Sequence, residues 1–529
     1  MSAPRRPRSA AHLRLAAVAM VAVCTFAAAA CGATRAATSG GTVRILGDAP
    51  VTWDPALQGD ESTASVLANV DESLTAIDAA GAVQPALAAS WTVSADSRSI
   101  TFTLRPGLTF SDGTPLQAGD VVRSWDRLID PRQPSPLAYL MVPIVGVSDE
   151  LAGHGPLDAV GIRASGPLDV TVTFTAAAAY FPATAASPSL AVVPPSLDTA
   201  YAAATPPTSF VASGAYLPTA ETASDIIFTA NPRYWAGPPA IGTIDLVTDT
   251  LGHETYDAFE GGTVDYAPVA ADAASWIRYD ATDGPQLVAV PEPSVLFYGF
   301  DTRRAPFDDV RVRQAFAQAV DWHRLVQLGS QFDPVATSLV PPDIPGRPTG
   351  DYSPAYDPAA ARAALAAAGY ANGVGFPVVT LDSGGLPYDE ALAETWHQVL
   401  GVTVDVEERI DGYFDLLATD PPQIFALDWV ADYPAPQDFL GLLLMSGSSN
   451  DDGGWSDPSF DAAVTAGAAS TDVASQVQHF DAAQRIVQAQ VPVVPLSYGQ
   501  GWALVRAGLR GAAASSLGIL RWAGLAWGT

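Results

Sequence analysis

Residues 87–131 read LAASWTVSADSRSITFTLRPGLTFSDGTPLQAGDVVRSWDRLIDP, and they hold a strand, two turns and a helix in legible order. Ile100, Phe102 and Leu104 alternate with Thr101, Thr103 and Arg105, the period-2 pattern of a half-buried strand. Pro106-Gly107 and Asp112-Gly113 supply the fixed and positive φ angles of tight turns, with Phe110 as the buried anchor between them. The period then becomes helical. Val121, Val122, Trp125, Leu128 and Ile129 follow Asp120, expected as the N-cap, and Pro131 ends the run.

Outward from this stretch the same alternation of strand and helix continues. TVRILGDAP, from Thr42, reads as a strand. Val312, Phe316, Ala319, His323 and Val326 step by four and three residues behind Asp308-Asp309, which predicts one helix closed by Gly329, with His323 at the edge of its apolar stripe. Asp357-Pro358 opens a further helix through Leu365, with Asp357 as N-cap and Pro358 at the first helical position. Phe425, Leu427 and Trp429 alternate as a strand, and VPVVPLSY near the end reads as a buried one. No internal repeat is present, so the class is mixed α/β, and 529 residues imply more than one domain.

Composition narrows the function. Arg5, Arg6, Arg8 and Arg14 precede an uncharged apolar run from Leu15 to Ala30 and then Cys31, the layout of a signal peptide over residues 1–30. The four arginines of that segment leave with it, which takes the formal net charge from −30 to −34. Such a surface repels nucleic acid and anionic lipid. No lysine occurs anywhere, which excludes a P-loop GK[ST] and a Schiff-base lysine. Cys24 is lost with the leader, so no internal disulfide is expected and the fold rests on its hydrophobic core. The histidines are scattered; His253-Glu254 starts like HExxH but has Asp257 in place of the second histidine. With no GxSxG or GxGxxG motif either, nothing in the chain points to an enzyme, a metal or a cofactor.

The pattern W…TFTLRPG…FSDGTPL…DVV.SW in the opening stretch closely resembles the family 5 extracytoplasmic solute-binding proteins. The likeness recurs along the chain: Trp53-Asp54-Pro55 with Glu72, SGAY at Ser213–Tyr216, NPRYW from Asn231, GGTVDYA from Gly261, FYGFDTRRAPFDDVRVRQA from Phe297, YDP at Tyr356 and WVADYPAP from Trp429. Ala28-Ala29-Ala30-Cys31 resembles a bacterial lipobox, with Ala28 where leucine is usual. Cys31 would then be acylated and the protein held at the outer face of the bacterial cell membrane; cleavage by an ordinary signal peptidase is the alternative.

The resemblance implies a periplasmic-binding-protein-like fold of type II (cluster C), with two lobes around a ligand cleft and an extra domain. It places a tether at 31–41, the first lobe at 42–62, 186–292 and 498–529, the extra domain at 63–185, and the second lobe at 293–497. It also implies a monomer that hands short peptides to an ABC permease and its ATPase subunits; a nickel chelate, or a non-transport role in envelope biosynthesis, is the alternative. By the same resemblance Asp432 would anchor a peptide amine, with Trp429 and Tyr433 at the pocket wall. Glu61, Ser62 and Thr63 would form a loop that pairs with the ligand backbone, and Tyr298 and Asp301 would be cleft residues.

Overall fold

The computed structural model describes residues 41–199, 210–329 and 333–528. The leader, Cys31 and nearly all of the tether therefore lie outside the described residues. Among the described residues no helix is long and apolar enough to cross a membrane.

The alternating stretch at 99–104 is the strand Ser99–Leu104, and Ile100, Phe102 and Leu104 all turn inward. It is the second strand of a four-stranded antiparallel sheet with Ala88–Val93, Asp169–Thr173 and Ile162–Ser165, in which Phe102 sits opposite Trp91 and Val170. Gly107 and Gly113 adopt φ of 79° and 91°, as the two turns require. The helix runs Ala118–Leu128 and so begins before Asp120. Asp120 is not the N-cap but lies in the first turn, where its Oδ2 accepts the backbone N–H of Gln117 at 2.9 Å. Trp125 packs edge-on against Phe181 and donates its indole N–H to the Leu190 carbonyl, which roofs this sheet with a core of its own.

A ten-stranded sheet carries the rest. Its order is Val404–Glu407, Val379–Asp382, Ile424–Val430, Leu287–Phe300, Val493–Val505, Tyr266–Val269, Thr42–Leu46, Thr243–Val247, Asp225–Ala230 and Tyr216–Glu221. Leu287–Phe300 and Val493–Val505 are the long members, and both halves of the sheet hang on them. Their pairing is irregular between Pro291 and Val295, where Pro291 and Pro293 have no N–H to give the ladder. The boundaries expected at 292/293 and 497/498 fall within these two continuous strands, and that at 62/63 falls inside the helix Glu61–Val70. Separate apolar cores lie on the two halves, one around Trp53, Phe228 and Trp522 and the other around Phe300, Phe316 and Trp396.

The single helix expected over 312–326 is two, Val310–Gln318 and Trp322–Gly329. Asp309 caps the first, and Asp321 accepts the Arg324 N–H and restarts the second. The restart shifts the helical phase, so Trp322 and Val326 are buried while His323 is exposed.

SGAY has a steric cause. Gly214 donates its N–H to the Val70 carbonyl at 2.8 Å, and a Cβ at this position would stand 2.4 Å from that same oxygen. Gly214→Ala is therefore expected to cost about 1–3 kcal/mol of stability, the usual range for overpacking a rigid site. An unchanged denaturation midpoint would contradict this.

Candidate ligand site

The strand Ile424–Val430 leaves the sheet where Val430 pairs with Ser294, beside the irregularity in the long strands. Ala431 still donates its N–H to the Pro293 carbonyl; the chain then turns through Asp432-Tyr433-Pro434 into the helix Pro436–Leu444. Pro436 at the first helical position makes Asp438 the third, so its carboxylate lies at the positive end of the helix and faces back to the turn. Two carboxylates thus meet at one turn.

Asp432 accepts the Tyr139 hydroxyl at 2.6 Å, and Asp438, with no exposed surface, accepts the Trp429 indole N–H at 2.8 Å on Oδ2. The backbone N–H groups of Asp432 and Tyr433 also turn toward the Asp438 carboxylate. Burial pushes the Asp432 carboxyl up to about 6, against the lowering effect of the Tyr139 hydroxyl. Burial, and then the Asp432 charge, also push the Asp438 carboxyl well above the usual carboxylate range. Neither makes an ion pair among the described residues. A desolvated carboxylate pair without a counter-charge is costly unless it holds a proton or meets a cation.

Asp432 lines a cavity of about 260 Å³ to which distant segments contribute: Glu61 from the first helix, Leu137 and Pro188 from the smaller sheet's unit, Ala431 beside Asp432, and Leu517 from the C-terminal segment. A neighbouring cavity of about 370 Å³ shares Glu61 and reaches Glu292 in the long strand.

The other expected site residues are distributed differently. Glu61, Ser62 and Thr63 are not a loop but the first turn of the helix Glu61–Val70, capped by Asp60, whose Oδ1 accepts the Thr63 N–H. A helical backbone cannot pair with an extended peptide, and Thr63 is buried with its hydroxyl accepting the Val51 N–H. Glu61 and Ser62 do line cavities. Trp429 is half-buried and reaches the site only through Asp438; Tyr433 is buried and stacks on Tyr180 at 5.5 Å, away from the cavity. Tyr298 and Asp301 are not cleft residues. Tyr298 is fully buried and donates to Asp389, and Asp301 is fixed by Arg303 and Arg304, because both sit where the strand Leu287–Phe300 ends in the second core.

Tyr139 and Glu292 gave no periodic signal in the sequence. Glu292 is marked only by its place between two prolines inside an apolar strand.

The model of bacterial extracellular solute-binding proteins, family 5 Middle, matches residues 82–451. The probable deoxycholate-binding periplasmic protein YgiS of Escherichia coli is 26% identical over 464 residues, covering 85% of this chain and 86% of that protein. The periplasmic oligopeptide-binding protein OppA of Salmonella typhimurium is 28% identical over 482 residues, covering 86% of each. Among solved structures, the unliganded open form of the periplasmic murein tripeptide-binding protein MppA superposes with a TM-score of 0.79 at 23% identity, over 93% of this chain and 98% of that one. The fold is therefore the two-lobed, type II periplasmic-binding-protein architecture, and the relatives are named for what they bind, not for a reaction. On the extent of the family match, the chain belongs to the bacterial extracellular solute-binding proteins of family 5.

Proposed function

We propose that the chain is the solute-binding subunit of an ABC importer, lipid-anchored through Cys31 outside the cytoplasmic membrane, and that it captures short peptides without altering them. It acts as a monomer that presents the closed lobes to the permease and its ATPases.

The observation that carries the reading is the Asp432–Asp438 pair. Relatives carry names for ligands as different as deoxycholate, heme and oligopeptides, so likeness alone does not choose among them. Deoxycholate is an anion and heme bears carboxylates; two buried carboxylates with no ion pair reject both and suit an ammonium group. A peptide's α-amino group is such a group, and Asp432, on the cavity wall and steadied by Tyr139, is the residue that receives it.

The test is calorimetric affinity for a free-amine peptide, its N-acetylated form, and a pH series. Acetylation is expected to abolish measurable binding. A peptide amine stays charged from pH 5 to 7, whereas Asp432 titrates at about 6, so affinity should fall about tenfold from pH 7 to pH 5 as the carboxylate is protonated. Equal affinity for the acetylated peptide, or none of this pH dependence, contradicts the assignment.

A further inference from the structure

The cavity that adjoins the Asp432 site is not called on by the peptide's α-amino group, yet it is the larger of the two, at about 370 Å³. Its walls are apolar and aromatic, with Val290, Tyr266, Leu520 and Trp522 among them. The charged groups that line it are all acidic: Asp48, Glu61 and Glu292. Asp48 is taken by the Ser62 hydroxyl. Glu61 and Glu292 make neither a hydrogen bond nor an ion pair among the described residues.

Space is kept open in front of both carboxylates. A Cβ at Gly518 would stand 3.3 Å from Glu61 Oε1, and one at Gly499 would stand 2.9 Å from the Glu292 carboxyl carbon. At the Glu292 end the Ser294 hydroxyl, 1% exposed, turns toward the Asp428 carboxylate, and the same Cβ would meet its oxygen at 2.4 Å. Partial burial raises both glutamates, Glu61 keeping an exposed face, and for Glu292 the charges of Asp428, Glu61 and Asp333 add to it. A chain with no lysine offers no ammonium of its own to meet them.

We infer that this cavity is a second cation subsite, which takes the basic side chain of a peptide (arginine, lysine or another diamino acid) between Glu61 and Glu292 while Asp432 holds the amine. The apolar walls suit the methylene stem of such a side chain. Glu61, shared by the two cavities, places the subsite within reach of the same ligand. The inference rests on the peptide reading above and deepens it from peptides to basic peptides.

The experiment is titration calorimetry at low salt with trialanine, with the three trialanines in which one residue is arginine, and with the same three bearing citrulline, which keeps the shape of arginine without its charge. At least one arginine peptide is expected to bind about tenfold more tightly than its citrulline partner, as a partly desolvated charge pair provides. Glu292→Gln should bring that ratio close to one, and Glu61→Gln, the second variant should the first not fold, should do the same. Equal binding of arginine and citrulline peptides at every position, or a ratio unmoved in a folded variant, overturns the subsite and leaves the peptide reading standing. Failure of every peptide to bind overturns both.

Discussion

Replacing Asp432 with alanine is expected to lower affinity for free-amine peptides by about 2–5 kcal/mol, the range for removing one partner of a buried charge pair. Asp432→Asn separates charge from shape, since an amide can still accept the Tyr139 hydroxyl. It should lose nearly as much affinity as alanine. Stability without added peptide should move the other way. The carboxyl titrates at about 6 in the fold against 3.8 ordinarily, so the folded chain keeps a proton that the unfolded chain has released, and stability from this group is lost as pH rises through about 6. Asp432→Asn removes that penalty, and its melting temperature at pH 7 should equal or exceed that of the parent. The pairing of weaker binding with undiminished stability marks a residue kept for its ligand. A folded Asp432→Ala protein with unchanged calorimetric affinity would exclude Asp432 from the site.

Arg521→Ala should produce the largest loss of stability, about 3–5 kcal/mol, by leaving Glu72 buried without a counter-charge. Glu72 is 1% exposed and accepts Arg521 at 2.6 Å and the Tyr234 hydroxyl at 2.6 Å. Arg521 also donates to the Ala68 carbonyl and so clamps the C-terminal segment onto the helix Glu61–Val70. That helix presents Glu61 to both cavities, so the loss of the clamp should weaken ligand binding as well. Removing both charges together, in Glu72→Gln with Arg521→Met, should cost clearly less than Arg521→Ala alone, because no uncompensated ion is then left inside. Chemical denaturation of the two variants decides the point; a double variant as unstable as the single one would show that packing, not charge, makes the clamp.

Several features were legible before folding. Phe102 and Leu104 alternate with threonines, Gly107 and Gly113 occupy turns, and Asp357-Pro358 starts a helix, each through interactions within a few residues. A local pattern misleads where a second capping residue lies inside it. The apolar spacing from Val312 to Val326 fits one helix, but Asp321 offers a second cap inside it, and the restart turned His323 outward. The resemblance implies a loop at Glu61–Thr63, whereas Asp60 caps a helix there.

The sequence by itself determined the mixed α/β class, the family pattern and the placing of Asp432 at the turn after an alternating strand. Only the tertiary structure decided what surrounds that turn. Tyr139 lies 293 residues before Asp432, and Glu72 lies 449 before Arg521. Asp438 became a partner of Asp432 only when the helix Pro436–Leu444 turned its first turn back. Periodicity encodes which face of a strand or helix is buried, since that depends on neighbours three or four residues away. Which buried faces meet depends on the whole chain's packing, and the two cavities exist only once segments hundreds of residues apart share a wall.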